Sequence, residues 1–432
     1  MSYWFNELPS DWNVVKVKNV FNMISGGTPK SDIEEYWSDS EVIWVTPEDL
    51  SKEGKYLNDS IRKISNLGLQ NCSANVIKAN SIVVSTRAPI GNVKVSTVPF
   101  TTNQGCKSLE AKGKVNITYY YYVIALAKEH LNNLGQGTTF LELSNYSLKN
   151  VFVPYPDINL QDLIAYYLDT KCNQIDELIV AKKKQISLLE QQRQSIITEA
   201  VTKGLNPNVK MKDSGVEWIG EIPEHWGTKK IKYLIQEKLL YGANESAELD
   251  DEKLPRYIRI TDIDELGNLK NETFKSIPLD IANKYVVKKG DILLARSGAT
   301  VGKSYIHKEE KEASYAGYLI KLRARTLELA EYIYYFTNSS LYKQWINSIL
   351  IQATIQNVSA EKYANLSIPV PKDENEIKSI LLNIKFKEKE ILEVINKLKE
   401  QIEKLKEYRQ SLIYEAVTGK IDVRDMELDE VR

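Results

Sequence analysis

The stretch "SGATVGKS" (residues 297–304) carries glycines, a lysine and serines at the spacing of a phosphate cradle, but it is one residue short. Gly298 and Gly302 enclose three residues, whereas a P-loop needs four between its glycines so that successive backbone N–H groups can wrap a phosphate. No G-x-G-x-x-G stretch opens a helix after a strand. No Asn-Pro-Pro-aromatic run is present to hold an amine for methyl transfer, and no H-E-x-x-H occurs. The histidines (His130, His225, His307) and cysteines (Cys72, Cys106, Cys172) are scattered, without zinc or disulfide spacing. These residues point away from catalysis. A second kind of chemistry remains. Arg, Gln, Ser and Thr are the side chains that reach base edges and phosphates. They cluster in "STRAPIG" (residues 85–91), "ARSGATVG" (295–302), "GQGTTFLELS" (135–144) and "IQATIQNVS" (351–359). A purely structural role for Arg87 and Arg296 as strand ends accommodates the same pattern.

These pairs of loops belong to a tandem repeat. "RQSIITEAVTKG" (193–204) returns as "RQSLIYEAVTGK" (409–420), 216 residues later. "LPSDW" (8–12) returns as "IPEHW" (222–226), "STRAPIG" as "ARSGATVG", and "VPYP" (153–156) as "IPVP" (368–371), in the same order. The stretch after Gly91 has no Lys-Ser, so the shared feature is a turn and not a nucleotide loop. Each half reads as a mixed body, a proline-containing exit and a long polar helix. Strand-like runs are "EVIWVT" (41–46), "NSIVVST" (80–86), "RYIRIT" (256–261) and "DILLAR" (291–296). Tyr-rich helical segments follow at 117–131 and 329–348. The expected fold is α+β, with bodies at 1–156 and 207–371, helices at 157–206 and 372–420, and a tail at 421–432.

The helices carry a heptad seam. Ile377, Leu381, Ile384, Glu388, Ile391, Ile395, Leu398, Ile402, Leu405, Arg409, Leu412 and Ala416 alternate four and three residues apart. The same register recurs from Gln161 through Cys172, Ile179 and Arg193 to Ala200. A helix of about 45 residues is about 65–70 Å long, longer than a compact body covers. The expected partner of each helix is therefore its twin, in an antiparallel coiled coil with pseudo-two-fold symmetry. The alternative packs each helix on its own body.

A length of 432 residues exceeds one ordinary domain. The composition, 43% apolar and 27% charged, is that of a globular protein. No run is apolar enough to span a membrane and no secretory leader is evident, so the expected compartment is the cytoplasm. Lys+Arg (57) and Asp+Glu (58) nearly cancel, against a protein that grips nucleic acid by bulk charge alone.

The helix ends are nearly identical between copies, while the bodies have diverged. This pattern points to one partner bound twice and two different targets. Gln194, Glu199, Thr202 and their counterparts Gln410, Glu415 and Thr418 lie off the seam and are the candidate docking residues. If the ends instead stayed alike because they pack on each other, no partner is needed.

"GGTPKSD" (26–32) with "WVTPEDL" (44–50), "STRAPIG", "VPYP", "EAVTKG", then "GVEWIGEIPEHW" (215–226) and a final "EAVTGK" resemble the specificity subunit of type I restriction–modification systems. The resemblance covers essentially the whole chain. It implies two target recognition domains in tandem on double-stranded DNA, each reading half of a split, asymmetric site, with the coiled coil as the ruler between the halves. It implies two methyltransferase subunits using S-adenosylmethionine for N6-adenine methylation after base flipping, and two restriction/translocase subunits using ATP and Mg2+. The chain itself holds no cofactor and no metal, and no membrane is involved. The candidate DNA-contacting residues are Lys30, Arg62, Lys63, Thr86, Arg87, Lys94, Gln136, Thr138 and Thr139 in the first half. In the second they are Arg256, Arg259, Arg296, Ser297, Lys303, Gln352, Thr354 and Gln356. Two departures separate the halves: the first lacks the "GVEWIGEIP" lead, and "YGANES" (241–246) stands in the second where "GGTP" stands in the first. The competing reading is a duplicated coiled-coil adaptor that clamps two copies of a protein without DNA.

Overall fold

The computed structural model describes residues 3–38, 40–137, 141–264, 267–298, 300–351 and 357–424. Contacts divide the chain into two compact units, Met1–Lys182 with Glu400–Arg432, and Lys183–Lys399. The division cuts both long helices, Ile158–Lys203 (46 residues) and Glu374–Val417 (44 residues). Each unit thus holds one α/β body, the start of the helix that leaves that body, and the end of the other helix.

In the first unit, Asn13–Lys16 pairs antiparallel with Phe152–Tyr155 and ties the entry of the body to its exit. A five-stranded sheet runs in the order Phe21–Ser25, Cys106–Ala111, Ile82–Ser85, Val93–Ser96, Tyr56–Leu57, with only the last pair parallel. Ile82, Val83 and Val84 are all buried, which explains an unbroken apolar run where a one-sided strand would alternate. A three-stranded sheet orders Lys63–Ile64, Val42–Val45 and Thr101–Thr102, the last pair parallel. Val45, Leu50, Leu57, Ile77, Val83, Phe100 and Cys106 form a core cluster within this body.

The second unit repeats this frame. Gly227–Lys230 pairs with Ser367–Val370. The main sheet is Leu240–Tyr241, Leu319–Leu322, Ile292–Ala295, Ser304–Ile306. Tyr257–Ile258 runs parallel to Ser314–Tyr315, as Trp44–Val45 does to Thr101–Thr102. "YGANES" also proves equivalent to "GGTP" in backbone. A Cβ on Gly242 would lie 2.3 Å from the Ala316 carbonyl oxygen, and one on Gly26 would lie 2.1 Å from that of Thr102. Only glycine lets either chain approach so closely.

Two element expectations are corrected. "RYIRIT" is a strand only over Tyr257–Ile258. The Asp262 carboxylate accepts from the Arg259 backbone N–H (2.8 Å) and guanidinium (2.6 Å), turning Ile260–Asp262 into a 3-10 helix. Each Tyr-rich segment is two helices, Ile117–Leu126 with Lys128–Asn133, and Leu327–Thr337 with Ser340–Ile351. The second break is set by Asn338, whose amide donates to the Tyr334 carbonyl (2.8 Å).

Within each unit the two helix segments run antiparallel. In the first, Lys182 donates to Gln401 (2.7 Å) and Arg409 pairs with Asp176. In the second, Arg193 pairs with Glu388 (2.5 Å), and Gly204 lies against Glu376. One number rises as its partner's falls. The seam residues Ile175, Ile179, Ile384, Ile391, Ile395 and Ile402 are buried, while Ile186 and Leu189 are half-buried. The helices also pack on the bodies they leave. Asp169 holds Lys55 (2.6 Å), and Gln161 accepts from the Asn116 backbone N–H (3.0 Å). Both readings of the helices therefore hold at once.

Candidate nucleic-acid interface

In the first unit, the end of strand Ile82–Ser85 meets the turn at residues 103–105. The backbone N–H groups of Thr86 and Arg87 both donate to the Gly105 carbonyl (2.8 and 3.3 Å), and the Thr28 hydroxyl of the "GGTP" loop bonds the Gln104 side chain. Arg87 then pairs across an antiparallel bridge with Glu142, and Glu142 with Gln136, exchanging N–H···O bonds of 3.0 and 2.9 Å. Directly opposed residues of antiparallel strands place their side chains on one face, so Gln136, Glu142 and Arg87 form a row. The Arg87 guanidinium donates to the Glu142 carboxylate (3.2 Å), and the two side chains are 52% and 44% exposed. Nearby, Lys107 is buried and donates to the Ser25 hydroxyl (3.2 Å). Burial pulls its ammonium below the usual lysine range, while Glu142 pulls it upward and Arg87 downward.

In the second unit the same hydrogen-bond frame carries other side chains. Arg296 N–H donates to the Tyr318 carbonyl (3.0 Å), Val358 N–H donates to the Arg296 carbonyl (2.8 Å), and Ser297 bridges Asn357. The corresponding bonds in the first unit are Thr86 to Gly105 and Leu143 to Thr86. The register therefore matches Arg296 with Thr86, and Ser297 with Arg87. In sequence the two loops match as wholes, and each carries one arginine. A loop one residue longer before Gly302 than before Gly91 hides the offset. Arg296 stacks on Tyr241 (4.7 Å) and its Nε donates to Asn357 (3.3 Å). The cleft here is about 750 Å³, lined by Asn244, Arg259, Arg296, Ser297, Tyr318 and Asn357.

The remaining candidates divide sharply. Thr86 is fully buried, and its hydroxyl lacks a partner among the described residues. Lys94 is buried with its ammonium on the Glu53 and Gly54 carbonyls (3.2 and 2.7 Å), so it holds a loop instead of offering a surface charge. Arg256 reaches the Lys270 carbonyl (2.6 Å), Arg259 is held by Asp262, and Lys303 donates to the Ile263 carbonyl (2.7 Å). Each ties one segment of its own body to another. Arg62 is exposed and lies over Trp37 (4.4 Å) and Trp44 (5.4 Å), Lys63 pairs with Asp59 (3.1 Å), and Lys30 is exposed. Thr138, Thr139, Gln352, Thr354 and Gln356 lie outside the described residues. Sequence reasoning missed Glu142, Asn357 and Tyr241. The first two stand inside the quoted loops, but no periodicity marks a single cross-strand pair.

The helix ends are corrected. Thr202 and Thr418 were expected to face outward, yet both are buried, donating to the Thr198 and Tyr414 carbonyls (2.6 Å each). The reason is that each end enters a body. The Tyr332 hydroxyl donates to the Val201 carbonyl (2.9 Å), and the Tyr119 hydroxyl to the Val417 carbonyl (3.2 Å). Gly204 (φ +74°) closes the first helix against Trp226, and Gly419 (φ +68°) closes the second against Pro9 and Trp12. Repeated packing thus explains much of the repeated phrase. Gln194 is held by Lys343 (2.5 Å) and the Asn338 carbonyl. Glu199 and Gln410 are exposed, and Glu415 is half-buried, accepting from Ser411 (3.2 Å).

This doubled frame belongs to a known class. The family described as the type I restriction modification DNA specificity domain matches residues 9–188 and 223–412, and the chain is a member of it. It is 26% identical over 431 residues to the type I restriction enzyme MjaIX specificity subunit of Methanocaldococcus jannaschii, covering 97% of this chain and 96% of that one. It is 27% identical over 437 residues to the MjaVIII specificity subunit of the same organism, covering 97% and 95%. Its fold is similar to a chain solved in work on complex assembly and conformational transition of the type I R-M system, with a TM-score of 0.71 at 16% identity, covering 96% of this chain and all of that one. Among the described residues no helix is long and apolar enough to cross a membrane, and no group of three or more His, Cys, Asp or Glu side chains is placed to hold a metal.

Proposed function

We propose that this chain supplies the DNA-sequence specificity of a type I restriction–modification complex, reading a split, asymmetric site with one half assigned to each body. The observation that carries this reading is one backbone frame built twice with different side chains at corresponding positions, Arg87 and Glu142 against Ser297 and Asn357. The same frame predicts the same approach to DNA. Different donors and acceptors predict different bases.

In this reading two methyltransferase subunits dock on the chain and supply the chemistry, N6-adenine methylation with S-adenosylmethionine on a flipped base. Two restriction subunits join through them and use ATP and Mg2+. The formal charge of −1 fits a shared phosphate grip, since phosphate contacts dominate affinity. Glu199, Glu415 and Gln410 are the docking candidates that remain at the surface. The adaptor reading has no observation in its favour comparable to the family match.

The test is a body swap. Residues 1–150 are replaced by those of a relative, the chain is produced with its methyltransferase, and methylated sites are mapped across the genome. One half of the methylated site changes and the other half stays. A change in both halves, or in neither, overturns the assignment of one body to one half.

A further inference from the structure

The two bodies share a frame, so their difference in specificity must lie in a few side chains on it. We propose that the cross-strand row Gln136–Glu142–Arg87 reads base edges for the first body and that Arg296, Ser297 and Asn357 do so at the same place in the second. This rests on the DNA-reading role proposed above and names the residues that carry it.

Three observations support the assignment. First, the row is built of three side chains able to contact a base edge, one per strand. Neighbouring strands lie about 4.8 Å apart, so the row is about 10 Å across, within the width of a major groove of about 12 Å. Arginine matches the two acceptors of guanine, glutamine the donor–acceptor edge of adenine, and glutamate accepts from the cytosine amine. Second, the row is pre-oriented and still accessible. Arg87 and Glu142 hold each other at 3.2 Å while about half exposed, and Gln136 is exposed. Such a pair exchanges its internal contact for base contacts without exposing a buried charge. Third, these positions differ where the frame does not. The bridge holding Arg87 to Glu142 recurs between Ser297 and Asn357, and Arg296, one residue earlier, occupies the place of the buried Thr86. The second body thus offers a guanidinium stacked on Tyr241 beside an amide, at the wall of a cleft of about 750 Å³. Of the other basic candidates there, Arg256 is turned inward onto the Lys270 carbonyl, and Arg259, also at the cleft wall, has its guanidinium tied to Asp262.

The experiment maps methylation left by the full chain with its methyltransferase subunits, comparing wild type with Arg87→Ala, Gln136→Ala, Asn357→Ala and the exchanged pair Arg87→Glu with Glu142→Arg. The exchanged pair keeps the ion pair, so folding is retained while donor and acceptor trade places. The first-body variants are expected to lose discrimination at one or two base pairs of one half-site, by roughly ten- to a hundredfold per base pair. The other half-site and the spacing stay unchanged. Asn357→Ala does the same to the opposite half. If the exchanged pair methylates the wild-type sequence with wild-type discrimination, the row does not read bases and the inference falls. If the wild-type complex leaves no split site at all, the DNA-reading role itself fails, which is a separate result.

Discussion

Trp226 is fully buried, and its indole N–H donates to Glu376 at the start of the second long helix (3.0 Å). Its ring also covers Gly204, the cap of the first. One side chain therefore fixes two helix termini on the second body. Trp226→Ala is expected to cost about 3–5 kcal/mol through the cavity it leaves and the contacts it frees, read as a lower urea midpoint of unfolding. A second residue-scale expectation concerns thiols. Burial pushes the Cys172 thiol up to about 11, and the Cys106 thiol further. The thiolate is the reactive form, and a raised value keeps both protonated from neutral pH to well above pH 8. Iodoacetamide at pH 8 should leave both unmodified in the folded chain and label them once urea is added. Labelling of Cys172 in the native chain would contradict its burial beside Tyr122.

At the scale of elements, the antiparallel helix segments follow from a seam that was legible as a heptad. Ile384, Ile391 and Ile395 are buried where the four-three alternation places them. What was not legible is which surface covers the helix ends. Thr202 and Thr418 are off the seam by period yet buried, because Tyr332 and Tyr119 come from bodies distant in sequence. Periodicity reports one covered stripe and is blind to a second partner across another face. Removing one heptad from each helix shortens it by about 10 Å while preserving the seam. The expected outcome is a methylated site whose halves lie about three base pairs closer, at 3.4 Å per pair, or loss of methylation. Retained methylation with unchanged spacing would show that helix length does not set the spacer.

For the whole molecule, the duplicated order predicts that specificity is a property of the assembly. With a formal charge of −1 the chain has little long-range pull on DNA. Measured by fluorescence anisotropy at 0.15 M salt, the lone chain should bind its site at least a hundredfold more weakly than the complex with methyltransferase subunits. Equal affinity would mean that the phosphate grip resides in this chain after all.

The sequence by itself determined the duplication, the α+β class of the bodies, the long heptad helices and the family, because each of these is written in local pattern or in order along the chain. Only the tertiary structure decided that Arg87 corresponds to Ser297 and not to Arg296, that Lys94 and Arg256 face inward, and that the repeated helix ends are packing surfaces. Those are relations between residues far apart in the chain. They depend on which carbonyl a given N–H finds, and backbone pairing settles that by the register of strands, one residue of which reverses the face a side chain takes.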